Sequence, residues 1–260
     1  MDCQTTELLS QIKNNKPLVL NITNHVTMDF VANGLIALGA SPIMSLAAQE
    51  INELMQIANA AVINIGTLND AFIPLCEKAC EAANQLGKPL VLDPVGAGAS
   101  YYRTKTCLDL LERFAFSVIR GNASEIMALA GVGGNTKGVD SSFATQQAVQ
   151  SAKLLATRYN SVVIISGQID TVVSVSTMKQ FEFGSSLMPM LTGSGCLLSA
   201  VVGAFAAVHA DWYAAASSAV VFYGICGERA AKQAEGPGSF KPHFLDALAL
   251  IPGRDCYARN

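Results

Sequence analysis

The chain has 260 residues, 51% of them hydrophobic and 14% charged, with a formal net charge of −3. That length accommodates one large domain, and no Pro/Ser-rich linker or charge run divides it, so one domain is expected over residues 1–260. A mean hydropathy of +0.35 calls for a large buried core or a membrane, whereas the slightly acidic balance and the lack of a basic stripe argue against nucleic acid as a partner.

The opening Met1-Asp2-Cys3-Gln4 lacks a basic region followed by an apolar core, so no secretory signal is expected there. Residues 17–22 read as a strand. Met28–Leu38 reads as a helix with Phe30, Val31, Gly34, Leu35 and Leu38 on one face. A short strand at 43–46 leads to helical spacing over 49–58, then to a near-continuous apolar strand at 61–65. A helix at 71–86 stops at Gly87. Its Cys76 and Cys80 lie one turn apart with no histidine nearby, so they read as small buried side chains rather than a zinc pair. The chain's seven cysteines form no Cys-x-x-Cys pair, and such thiols fit a reducing cytoplasm. Strands at Leu90–Asp93 and 117–120 follow, then a helix at 122–130 that stops at Gly131. Gly131-Val132-Gly133-Gly134 follows a helix rather than a strand, so it reads as a turn and not a dinucleotide loop. A helix at 142–159 leads to the strand Val162–Ser166. Repeated βα units with buried strands imply a three-layer αβα architecture, a mostly parallel sheet with helices on both faces.

After Gly167 the rhythm changes. Residues 171–176 and 180–183 alternate around a turn and read as an antiparallel hairpin at the sheet edge. Between Glu182 and Asp211 there is no Asp, Glu, Lys or Arg, yet Pro189 and a glycine turn interrupt this stretch. The unbroken apolar part, 196–208, falls short of the ~20 residues a membrane span needs. Residues 197–208 read as a buried core helix, followed by helices at 212–226 and 244–250.

In open parallel sheets ligands sit beyond the carboxyl ends of the strands, where Asn21, Asn24, Asp93, Arg120 and Ser166 fall. Asp93-Pro94-Val95-Gly96-Ala97-Gly98 begins as a strand ends. Its carboxylate is placed either to hold Mg²⁺ or to cap a turn. Asn122 and Glu125 have the spacing of a capping box, which leaves Arg120 unexplained unless its fork meets a phosphate. Gly193-Ser194-Gly195-Cys196 runs into a helix, so free amides and the positive end of the helix dipole make an anion site. The same field is expected to draw the Cys196 thiol toward thiolate. His25, His209 and His243 are scattered and read as surface or core residues. No Gly-x-x-x-x-Gly-Lys-Ser/Thr occurs, so the chain is not a P-loop protein.

An ordered set of motifs resembles the hydroxyethylthiazole kinase family nearly end to end. It comprises Asn21-Ile22-Thr23-Asn24, the segment 32–44, Ile65-Gly66-Thr67-Leu68, the Asp93-Pro94-Val95 loop, the segment 120–131, the Gly193 to Cys196 turn and Glu235-Gly236-Pro237-Gly238-Ser239-Phe240. The resemblance implies a ribokinase-like fold and ATP-dependent phosphorylation of the hydroxyl of 4-methyl-5-(2-hydroxyethyl)thiazole, a step of thiamine salvage. It further implies ATP contacts at Arg120 and Ser166, thiazole contacts at Met44, Gly193 and Asn24, Mg²⁺ at Asp93 and Glu125, and a proton acceptor at Cys196. It also implies a homotrimer with the thiazole site between subunits. Leu20 stands where the family often has His, Ser194 replaces a commoner Thr, and Met190-Leu191 stand where Thr-Lys is frequent. Rival readings are a hydrate dehydratase or another small-alcohol kinase on the same fold, and a nucleotide-binding sensor without turnover.

Overall fold

The computed structural model describes residues 1–132 and 141–250, with the side chains of 141–144 left aside. Gly133 and Gly134 of the expected turn lie outside the described residues. Eight strands form one sheet: β1 (Leu18–Ile22), β2 (Ser41–Met44), β3 (Ala60–Asn64), β4 (Leu90–Asp93), β5 (Val118–Asn122), β6 (Val162–Ser166), β7 (Asp170–Val173) and β8 (Met178–Phe181). Their order is β2-β1-β3-β4-β5-β6-β7-β8. The first six strands pair parallel, and β7 and β8 add an antiparallel hairpin at one edge, as the alternating sequence predicts.

Alternation along each strand divides the core in two. Val19, Val62, Val91 and Val118 face one layer of helices: α1 (Cys3–Asn15), α2 (Met28–Leu38), α8 (Ser194–Ala206), α9 (Trp212–Ala231) and α10 (Pro237–Leu250). Leu20, Ile63, Leu92 and Ile119 face the other: α3 (Ile51–Ile57), α4 (Phe72–Gln85), α5 (Tyr101–Arg113), α6 (Ala123–Leu129) and α7 (Ser141–Tyr159). Two of these helices have no counterpart in the reading of the sequence. α1 and α5 are largely polar and bury only a narrow stripe, Leu8, Leu9 and Ile12 in one and Cys107, Leu110 and Leu111 in the other. Both are announced by a cap: Asp2 accepts the Thr5 N–H at 2.8 Å, and Ser100 accepts the Arg103 N–H at 3.3 Å.

α8 is buried on every side from Leu197 to Ala206, as an all-apolar helix must be. It crosses the middle of the sheet at close range, because a Cβ on Gly203 would lie 2.8 Å from Val62. Its N-terminus therefore opens at the carboxyl edge of the central strands. Strand β2 begins at Ser41 rather than 43, and helix α8 begins at Ser194 rather than 197. The second shift matters, since it puts Ser194, Gly195 and Cys196 in the first helical turn. Among the described residues no helix is long and apolar enough to cross a membrane.

Candidate active site

The register of the parallel strands aligns their polar ends. Asn21 pairs with Met44, Asn64 with Asp93, and Asn122 with Ser166. Beyond this edge the hairpin, the 3-10 turn Met188–Met190 and the start of α8 enclose a cavity of about 920 Å³, lined in part by Arg120, Ser166, Asp170, Phe183, Gly195 and Tyr223.

Arg120 keeps only 9% of its surface exposed. One nitrogen of its guanidinium, Nη2, donates to Ser166 Oγ, and Nη1 lies 3.6 Å from Asp93 Oδ1. The planar group rests on the backbone of α8, where a Cβ on Gly195 would stand 2.6 Å from Nη1. Gly193 caps the helix with φ of +88°, and a Cβ there would meet Thr27 at 2.7 Å, so conformation and space both demand glycine. The Ser194 N–H donates to Leu191 O at 3.1 Å, and the Leu197 N–H is the first to reach the helix's own cap, Gly193 O, at 2.8 Å. The amides of Gly195 and Cys196 thus have no acceptor within the helix. Tyr223, pinned by an edge contact with Phe244, donates to Ser194 O at 2.5 Å and steadies this turn.

Asp93 is fully buried. Its Oδ2 accepts from Asn64 Nδ2 at 2.7 Å and Ser199 Oγ at 2.9 Å, while Oδ1 has no hydrogen-bond donor. Burial pushes its carboxyl up to about 6, against the pull of Arg120 and with a smaller push from Glu125. Glu125 realises the capping box: Oε2 accepts the Asn122 N–H at 2.8 Å, and Asn122 Oδ1 accepts the Glu125 N–H at 2.9 Å. Its Oε1 accepts the Gly96 N–H at 2.9 Å, which ties the Asp93 loop to α6. The two carboxyls are near enough to repel, but Glu125 has both oxygens engaged and Asp93 has one open. A buried carboxylate oxygen that faces an arginine at 3.6 Å but has no hydrogen-bond donor fits a hard cation bound together with phosphate. No group of three or more His, Cys, Asp and Glu side chains gathers as a metal cage among the described residues.

Asn24 and Met44, expected from the sequence to meet the alcohol, do not line this cavity. Asn24, 3% exposed, donates through Nδ2 to Cys196 Sγ at 3.3 Å and accepts the Thr27 N–H at 3.1 Å. Met44 ends edge strand β2, half-buried against the core on the α8 side. The thiol contradicts one expectation. Burial raises the Cys196 pKa, the Asp93 charge adds to the rise, and hydrogen bonds from Thr27, Asn64 and Asn24 offset it only in part. Desolvation outweighs the field at the helix terminus, so the resting group is a thiol.

Motif reading misses several contributors. Ser199, Thr27 and Tyr223 sit inside helical or turn segments that carry no chemical signature. Asp170 opens β7, takes the Gly167 N–H at 2.9 Å, and is pushed up to about 6, chiefly by burial. Arg103 clamps two strand-end loops by donating to Ile65 O at 3.0 Å, Val95 O at 2.7 Å and Gly66 O at 3.0 Å.

A helix N-terminus, a buried arginine and a carboxylate meeting at one sheet edge beside a deep cavity define a phosphotransferase class, the small-molecule kinases of ribokinase-like fold. Comparison narrows this. The Hydroxyethylthiazole kinase family model matches residues 9–253. The hydroxyethylthiazole kinase of Desulfotalea psychrophila is 46% identical over 242 residues, 93% of this chain and 89% of that protein. The solved hydroxyethylthiazole kinase of Pyrococcus horikoshii OT3 superposes with a TM-score of 0.87 at 40% identity, covering 95% of this chain and 93% of that one. A ribokinase-like superfamily protein from Enterococcus faecalis V583 shares the fold alone, with a TM-score of 0.67 at 13% identity over 94% and 93% of the two chains. The chain belongs to the hydroxyethylthiazole kinase family.

Two predictions follow from this geometry. Gly195→Ala forces the Arg120 guanidinium away from Asp93, so ATP turnover falls by roughly 10²-fold or more and the melting temperature drops, because the buried carboxylate loses its cation. Steady-state kinetics beside a melting curve check this. For Asp170, the folded state keeps a proton that the unfolded state releases above its ordinary value of 3.8, up to about 6. Stability must therefore fall as pH rises through that window, by roughly 2–3 kcal/mol for this one group. In urea titrations at pH 4 and pH 7, Asp170→Asn has the flatter profile; parallel profiles would refute the assignment.

Proposed function

We propose that the chain transfers the γ-phosphoryl group of ATP to the hydroxyl of 4-methyl-5-(2-hydroxyethyl)thiazole, the salvage step that feeds thiamine synthesis. One observation carries the chemistry: Arg120 and the amides of Gly195 and Cys196 converge where the cavity meets the buried polar cluster. Phosphoryl transfer needs alignment and charge neutralisation more than covalent chemistry. The cavity takes ATP, with Arg120 and Ser166 on its phosphates. Gly193, Asn24 and Met44 line the alcohol side, the first and last through their backbone amides.

Asp93 and Glu125 are the residues that would hold Mg²⁺ beside the phosphates. When bound, the ion neutralises charge on the phosphate oxygens. The helix amides and Arg120 stabilise the migrating group, and packing of the turn against Thr27 keeps the alcohol in line. Cys196, a thiol at rest, accepts a hydrogen bond from the substrate hydroxyl at Sγ; once its own proton has passed to solvent, the sulfur takes the hydroxyl proton as the oxygen bonds to phosphorus and the bond to ADP breaks.

The kinase domain spans the whole chain and works in the cytoplasm as a homotrimer with the alcohol site at the subunit interface. Exposed apolar side chains beside edge strand β2 support this interface: Ile36 on α2, which packs on β2, and Leu46, which follows it, are 61% and 50% exposed. A sedimentation mass other than three chains would exclude the trimer.

A coupled assay with ATP, Mg²⁺ and a panel of alcohols decides the reaction. ADP release strongest with the thiazole alcohol is the expected outcome, and release only with a pyrimidine or pyridoxal alcohol would refute it. In that assay Cys196→Ala loses ~10²-fold or more, and Cys196→Asp retains activity because a carboxylate also takes the proton. An unchanged rate for Cys196→Ala would leave the anion cradle standing and remove the base.

A further inference from the structure

Asn64, the last residue of β3 and 1% exposed, joins the carboxylate side of the site to the alcohol side. Its Nδ2 donates to Asp93 Oδ2 at 2.7 Å. Its Oδ1 accepts from Asn24 Nδ2 at 2.9 Å and from the Gly66 N–H at 3.0 Å. Gly66 permits this closeness, since a Cβ there would stand 2.9 Å from the Asn24 side chain.

The direction of this chain of hydrogen bonds is forced from one end. An ionised carboxylate only accepts, so Asn64 must turn its NH₂ toward Asp93 and its oxygen toward Asn24. That oxygen also only accepts, so Asn24 must present its own NH₂. The Asn24 oxygen is then on the other side, where the Thr27 N–H meets it at 3.1 Å. The second hydrogen on Asn24 Nδ2 goes to Cys196 Sγ at 3.3 Å. Sulfur is therefore the acceptor in this contact, and its own hydrogen has to leave in another direction. Reversing either amide would set two donors or two acceptors face to face in a buried site, which costs far more than the bond itself.

We propose that Asn64 is a positioning residue for Cys196: anchored by Asp93, it acts on the thiol both directly and through the Asn24 amide, so that the free side of Sγ is presented to the alcohol hydroxyl. The proposal rests on the reading of Cys196 as the group that meets the alcohol. Asn64 touches neither substrate, and no bond to it is made or broken.

Asn64→Leu keeps the side chain's size and removes every hydrogen bond. With the full-length chain, ATP, Mg²⁺ and the thiazole alcohol, kcat falls ~10–100-fold, while the KM for ATP stays within about threefold of wild type. Placed in a Cys196→Ala background, the same substitution costs much less, because the sulfur it orients is gone. Losses that multiply in full would show a general structural role and overturn the proposal. Where Asn64→Leu folds poorly, Asn64→Asp keeps the shape but loses the donor to Asp93. Peptide-mapped alkylation of Cys196 by iodoacetamide then gives a readout that needs no turnover. The Cys196 rate changes several-fold while exposed Cys3 reacts as before, and an unchanged Cys196 rate overturns the proposal. Cys196→Ala assayed alone separates failure of the thiol assignment from failure of this one.

Discussion

Everything at the site depends on keeping the charge of Asp93 inside the protein. A fully buried carboxylate survives only with close partners, and the fold supplies them from three elements, with a like charge nearby on a fourth. Arg120 comes from the next strand, Asn64 from the strand before, Ser199 from the central helix, and Glu125, a like charge, is held off by backbone amides. The partners do not cancel the desolvation, since the carboxyl is still displaced upward to about 6. The site thus retains an electrostatic demand that a cation with phosphate would meet, and this is the physical sense in which it is poised for a nucleotide.

The same demand explains why α8 is so apolar. Its first turn must present amides at the sheet edge, while beyond that turn Ser199 is the one polar side chain, and its hydroxyl is committed to Asp93. Placing it between the sheet and α9, with Gly203 against Val62, fixes its depth to within a methyl group. The turn is then held from behind by Tyr223 and from the front by Thr27.

Much of this was legible in the residues. The apolar runs and their spacing give the parallel core and the edge hairpin, because buried strands leave a continuous apolar signal. The helices α1 and α5 escape such a reading, since each buries only a thin stripe and is otherwise polar. At the site, the glycine turn, Asp93 and Arg120 stand out as residue types in unusual places. Asn64, Ser199 and Thr27 do not, because an amide or hydroxyl gains meaning only from what faces it across the sheet. The direction of the Cys196 shift was likewise hidden: the sequence displays the helix terminus but not the burial that overrides it.

The antiparallel hairpin has a consequence for how the molecule opens. Within the sheet β7 and β8 have the β6 ladder as their one strand neighbour, while Val172, Val173 and Phe181 tie them into the two cores; the hairpin carries Asp170 and leads directly into Phe183 on the cavity wall. Asn64 and Asp93, by contrast, end strands with a neighbour on each side. Edge units of a sheet exchange their amides through local openings well below the global unfolding energy. One side of the cavity wall is thus built from the margin of the sheet, and the Asn64–Asp93 cluster from its interior, so a substitution in the hairpin reshapes the cavity without touching the hydrogen bonds around the carboxylate.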